Sequence, residues 1–120
     1  MKLTELKPLK EGRVDPNILM NIDEVVAKGK ITSRTQYIII AKIMMALKTG
    51  IFQSSPNWYE IETPSDVMSA VRAMPEAELV SLAGQFQKIL LTKDQDLINK
   101  CSGQSSMGVV DWINFVNSRA

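Results

Sequence analysis

TSRTQYIIIAKIMMALKTG, residues 32–50, is the stretch of sequence that decides how this chain folds. Its side chains from Tyr37 to Leu47 are apolar, with Lys42 as the one charged exception. Three consecutive isoleucines are common in strands, but this run is too long for a typical strand. It is also rich in Ala, Met, Leu and Lys, which are good helix formers. We therefore predict a central helix over residues 32–48.

Both ends of the central helix carry sequence signals for helix termination. Thr32 or Ser33 can accept a hydrogen bond from the unpaired amides of the first turn. Lys48 lies in the last turn, where the helix dipole favours a cation, and Gly50 suits a left-handed C-terminal cap. These signals agree with the boundaries predicted from the apolar run.

The apolar surface of this helix is too wide to be covered from one side. At about 100° per residue, Thr35, Lys42 and Thr49 mark a narrow polar line. Ile38 and Met45 flank Lys42, and a further stripe lies on the opposite side, formed by Tyr37, Ile40, Met44 and Leu47. We expect at least two sides to be covered, either by the same chain or by a second copy.

The composition is that of one ordinary globular domain. The chain has 120 residues, of which 45% are hydrophobic and 22% charged, and its formal net charge is +1. A chain of this length can bury a hydrophobic core without disulfide or metal cross-links. So small a net charge gives no general attraction to nucleic acid or anionic membranes. We predict one helical domain over residues 15–120. We also predict an N-terminal arm over residues 1–14, either loosely ordered or docked through its leucines.

The residue types that usually carry catalysis and metal binding are scarce. The chain has no histidine, which removes the usual general base near neutral pH and the commonest zinc ligand. Acidic pairs such as Glu76 and Glu78 fall in the first turn of a predicted helix, where the dipole already explains them. We therefore predict a protein that is not an enzyme, with no catalytic residue, no metal site and no cofactor.

The single cysteine and the length of the apolar run indicate the cellular compartment of the protein. Cys101 alone cannot form an intramolecular disulfide, and the sequence does not open on a hydrophobic leader. The apolar run is also shorter than the roughly 20 residues that a membrane-spanning helix needs. We expect a cytoplasmic protein that makes no membrane contact.

The remaining sequence predicts an all-α fold, a compact bundle of about five helices around the central one. Proline start signals and helical spacing of apolar residues predict helices at 16–28, 64–74, 75–91, 93–101 and 107–118. Thr63 and Ser105 or Ser106 are the predicted caps of two of them. Residues 50–63 are expected to form an ordered loop in which Phe52 and Trp58 plug the bundle, although an exposed Trp58–Tyr59 pair is the alternative. The 75–91 helix is the expected main neighbour of the central helix.

Two functions from different classes are compatible with these residues. The first is a non-catalytic interaction or regulatory module that forms a homodimer through the surface beside Ile38 and Met45. The second is nucleic-acid binding through a helix-turn-helix-like corner at 16–40, in which Lys28, Lys30, Arg34 and Gln36 contact the ligand. Against the second, the helix turns apolar at Tyr37, although a recognition helix must stay exposed along a groove. The sequence favours the first.

Overall fold

The fold is all-α, as the sequence predicts. A computed structural model describes residues 16–51, 58–91, 95–101, 104 and 106–118, and no strand occurs among them. A single 3₁₀ turn lies at Trp58–Glu60, and the six α-helices of these ranges are α1 (Pro16–Lys28), α2 (Arg34–Thr49), α3 (Ser65–Ala73), α4 (Glu76–Leu91), α5 (Gln95–Cys101) and α6 (Val109–Ser118).

Helix α2 is the central helix of the bundle, and its ends are capped by the predicted residues. Ser33 is the N-cap, with an extended backbone (φ −148°, ψ 156°), and its hydroxyl accepts from the amide of Gln36. Gly50 takes the left-handed conformation at φ 85°, where a side chain would be strained, and its N–H donates to the carbonyl of Leu47. These two caps define where α2 begins and ends.

The core wraps α2 on several sides. Its fully buried side chains include Ile40, Ile43, Met44 and Leu47, while Ile39 and Ala46, which lie nearer the polar line, are also buried. Ile38, Lys42 and Met45 are half-buried. The prediction that this helix must be covered from more than one direction is therefore confirmed, and its own chain supplies the cover.

The neighbours of α2 differ from the expected arrangement. Helix α3 makes the most extensive contact with α2, α1 comes next, and α4 touches it less. Helix α4 instead packs mainly on α1, where the Gln87 side-chain amide donates to the buried Asp23 carboxylate at 2.7 Å. The prediction of the 75–91 helix as main neighbour was wrong because amphipathic spacing shows which face is buried, but not against which partner.

The segment before α3 closes over α2. Trp58 is buried, 3% exposed, and meets the ring of Tyr59 edge-on at 6.0 Å between centroids. The Lys42 ammonium donates to the carbonyl of Ile61 at 2.8 Å. Trp58 therefore plugs the bundle as predicted, and the alternative of an exposed Trp58–Tyr59 pair is wrong. Phe52 lies outside the described residues.

Two predicted helix caps were wrong. Helix α3 begins at Ser65, so Pro64 occupies the cap position, and no side chain caps the helix. Thr63 is therefore one residue too far upstream to reach the first-turn amides. Helix α6 likewise begins at Val109, after Gly108, so Ser106 lies in the preceding turn rather than at the cap. Ser105 is not among the described residues.

The carboxyl-terminal helix anchors the other side of the core. Trp112, Ile113 and Val116 are buried, and the polar positions Asp111, Asn114 and Asn117 are exposed. The indole N–H of Trp112 donates to the carbonyl of Cys101 at 2.9 Å, and its ring lies 6.2 Å from that of Phe86. Helix α6 contacts both α4 and α3, so it joins the two halves of the bundle.

Some predictions fall outside the described residues. They include the 1–14 arm and residues 52–57 of the predicted loop. Helix α1 itself, Pro16–Lys28, has the predicted boundaries. Within the described ranges, no helix combines the length and apolar character that crossing a bilayer requires.

Candidate functional site

A groove lined by two arginines runs between α2 and α3. Its first hollow has a volume of about 530 Å³, and the described residues that line it are Arg34, Tyr37 and Arg72. Its second hollow, of about 270 Å³, shares both arginines and is further lined by Ile38, Lys42, Glu62, Thr63 and Met68. We call the two hollows together the α2–α3 groove. Polar and apolar side chains meet in this groove, a combination that is typical of ligand-binding surfaces.

Helical spacing explains why these side chains lie together. Arg34, Ile38 and Lys42 follow one another at intervals of four residues, so they form one row along α2. Met68 and Arg72 are also four residues apart and form a second row along α3. Because α2 and α3 pack against each other, the two rows become the walls of the groove.

The described lining of the groove is positively charged. Arg34, Lys42 and Arg72 face one acidic residue, Glu62. Lys42 is already engaged by the Ile61 carbonyl. Neither arginine forms an ion pair with a carboxylate of the described residues, and both are exposed. The groove therefore has two guanidinium groups whose charge is not balanced by the described part of the chain.

An unsatisfied hydroxyl lies in the wall of the second hollow. The Oγ1 atom of Thr63 is buried and has no hydrogen-bond partner within the described chain. A buried polar atom without a partner costs about 1–3 kcal/mol. Thr63 does not cap α3 as the sequence predicts, so its buried hydroxyl does not have the hydrogen bond that capping would give it.

The four predicted nucleic-acid contacts do not form one exposed surface. Lys28, Lys30 and Arg34 are exposed, but Gln36 is only 2% exposed. Its side-chain oxygen accepts from the Thr32 amide at 2.7 Å and from the Ser33 amide at 3.3 Å. Its amide nitrogen donates to Glu24 of α1 at 3.3 Å. Gln36 is therefore not free to contact a base, because it completes the α2 capping box and joins that cap to α1.

We expect Gln36→Ala to lower the free energy of unfolding by about 1–2 kcal/mol, since it removes the cap acceptor and the link to Glu24 together. Urea unfolding followed by circular dichroism measures this loss. Thr35→Ala, an exposed position in the same turn, is the matched control and should change stability by less than about 0.5 kcal/mol. Equal effects of the two substitutions would contradict the structural role of Gln36.

The predicted self-association residues lie in two different environments. Ile38 lines the second hollow, whereas Met45 packs against the buried core, and both are half-buried. The large apolar side chains that are most exposed in the described chain lie elsewhere: Met20 at 48%, Ile61 at 45% and Val110 at 66%. The apolar patch that motivated the prediction is thus smaller than the sequence alone indicates.

Sequence reasoning missed Arg72 and Met68. Their spacing of four on a predicted helix was visible, but their importance depends on α3 being the main neighbour of α2. No cluster of acidic or cysteine side chains suited to a metal ion occurs in the described part of the chain. Comparisons with models of protein families, with curated proteins and with solved structures found no match.

Proposed function

We propose that this protein is a non-catalytic interaction module that holds an acidic segment of a partner protein in the α2–α3 groove. One observation carries the proposal: Arg34 and Arg72 line both hollows and have no carboxylate partner in the described chain. Charge-assisted hydrogen bonds from arginine to a carboxylate or phosphate are stronger than neutral ones and fix the orientation of the ligand. An acidic segment supplies the charge that this groove does not balance.

The apolar part of the lining indicates what else the partner segment carries. Ile38 and Met68 lie between the cationic side chains in the second hollow. Methionine adapts to differently shaped apolar side chains because it is unbranched and polarisable. A partner segment with an apolar side chain next to its acidic one therefore matches the second hollow better than a purely acidic one. Hollows of this size are within or near the usual range for ligand sites, about 300–1,000 Å³.

The first test is a charge reversal in the groove. Peptides selected on the wild-type protein from a phage library of random dodecapeptides are expected to contain Asp or Glu beside an apolar residue. The double variant Arg34→Glu/Arg72→Glu should weaken their binding at least tenfold, because two attractive contacts become repulsive. Isothermal titration calorimetry with the synthetic peptides gives the two dissociation constants.

A matched control separates the groove from the general charge of the protein. Lys28→Glu/Lys30→Glu changes the net charge by the same amount at exposed positions outside the groove lining. This control should bind the peptides within about threefold of wild type. If both double variants weaken binding equally, or if no acidic peptide is enriched, the groove is not the binding site.

Two further measurements test whether nucleic acid or a second copy of the chain binds instead of an acidic segment. Binding of a labelled oligonucleotide at low salt, lost in Lys28→Glu/Lys30→Glu, would assign the basic corner to nucleic acid, and without any binding of acidic peptides it would contradict the proposal. A homodimer in sedimentation velocity that dissociates with Ile38→Asp would place a second copy of the chain on this surface. The partner would then be the protein itself rather than a different one.

A further inference from the structure

We infer, on the basis of the proposed groove, that its first hollow is a subsite for a phosphomonoester carried by the partner segment. Arg34 and Arg72 approach this hollow from two different helices, and Tyr37 completes its described lining. The ligand chemistry is thus a dianionic phosphoryl group on a side chain. Its neighbour in the partner sequence is an apolar residue that enters the second hollow.

The charge of the described lining of the hollow matches a dianion better than a single carboxylate. Its described lining contains two guanidinium groups and no acidic residue. A phosphorylated side chain has a charge of about −1.5 to −2 at neutral pH, whereas a carboxylate has a charge of −1. A carboxylate would leave one of the two positive charges unbalanced. A phosphoryl dianion balances both.

The donor groups also suit phosphate. A guanidinium offers a planar pair of N–H groups to two oxygens at once, and two arginines can engage three terminal oxygens from different directions. The Tyr37 side chain packs against the core and also lines the hollow. Lysine would not replace either arginine fully, since an ammonium is a point charge without this planar geometry.

The protonation of the ligand gives a direct test. The second pKa of a phosphomonoester is about 6, so the dianionic fraction rises roughly tenfold from about pH 5 to about pH 7.5. Among the described residues, the ionisable groups that line the groove are Arg34, Arg72, Lys42, Glu62 and the Tyr37 phenol, and the chain has no histidine, the residue that ordinarily titrates in this range. A pH dependence near 6 would therefore report on the ligand.

The experiment uses phenyl phosphate as the probe and benzoate as the carboxylate of similar shape, each titrated into the full chain and followed by amide chemical shifts in NMR. We expect phenyl phosphate to bind at least fivefold more tightly than benzoate at pH 7.5. Its affinity should fall about threefold to tenfold at pH 5, depending on how weakly the monoanion binds, while that of benzoate changes little. Arg72→Lys, which keeps the charge, should weaken phenyl phosphate binding severalfold, and Lys28→Arg is the control outside the groove.

Three results would overturn the inference. Equal affinities for phenyl phosphate and benzoate would make the hollow a general anion site. Phenyl phosphate binding that does not change with pH, together with equal binding of dimethyl phosphate, would assign it to a phosphodiester. Loss of acidic-peptide binding in Arg34→Glu/Arg72→Glu without any preference for phenyl phosphate would leave the interaction module in place and remove only the phosphate subsite.

Discussion

An Ile40→Asp variant is expected to be unfolded at 25 °C. Ile40 is 0% exposed in the middle of α2, the helix that α1, α3 and α4 all contact. Removing this buried side chain costs about 2–5 kcal/mol, and burying a carboxylate without a partner costs several more. Single domains are stable by only about 5–15 kcal/mol, so the sum is comparable to the whole stability. Circular dichroism should show loss of helix and no cooperative thermal transition.

Ile38→Asp is the matched control, because it places the same chemical change two residues away on the same helix. Ile38 is half-buried and faces the groove, so the new carboxylate can remain hydrated. This variant should still melt cooperatively, with a loss of no more than about 2 kcal/mol. A soluble Ile40→Asp protein with a cooperative transition close to that of Ile38→Asp would show that the core stripe of α2 is assigned wrongly.

The helices themselves were predictable because their signals are local. Pro16, Ser33, Gly50 and Pro75 act within one or two turns of their own positions, and each marks a helix boundary at or near the observed place. Burial on α2 was predictable for a similar reason, since an apolar run of that width has too little polar surface to face water. These inferences need no knowledge of which helix touches which.

What the sequence did not reveal depends on tertiary contacts. The Gln36 side chain has the donor and acceptor groups that can contact a base. In the structure these groups instead bond to Glu24 on α1 and to the Ser33 cap, and the side chain is buried. Thr63 is a residue type that often caps helices, but α3 begins at Ser65, so Pro64 and not Thr63 occupies the cap position. In both cases the residue type allows two roles, and a backbone shift or a neighbouring helix selects one.

The groove shows the same limit at the level of the site. Arg34 was identified from sequence as an exposed cation at the start of α2, yet its predicted companions were Lys28, Lys30 and Gln36. Its structural companion is Arg72, distant in sequence and brought near only because α3 packs on α2. Charge spacing within one helix predicts a row of side chains, but two rows make a groove only after the helix pairing is known.

The second large effect is expected at Trp112, where α6 joins the rest of the core. The indole is 0% exposed, packs beside Phe86 and donates to the carbonyl of Cys101. Trp112→Ala should therefore lower the free energy of unfolding by about 3–5 kcal/mol, as large cavities in cores do. Trp112→Phe keeps much of the apolar volume but loses the N–H donor, and should cost about 1–2 kcal/mol.

Urea midpoints for these two variants, with Val110→Ala as the control on the same helix, separate the contributions to this anchor. Val110 is 66% exposed, so its truncation should change stability by less than about 0.5 kcal/mol. If Trp112→Phe is as damaging as Trp112→Ala, the hydrogen bond to Cys101 rather than the ring volume holds α6 in place. If both are as mild as the Val110 control, α6 does not stabilise the bundle through this side chain, and the junction of α6 with α3 and α4 must depend on Ile113 and Val116 instead.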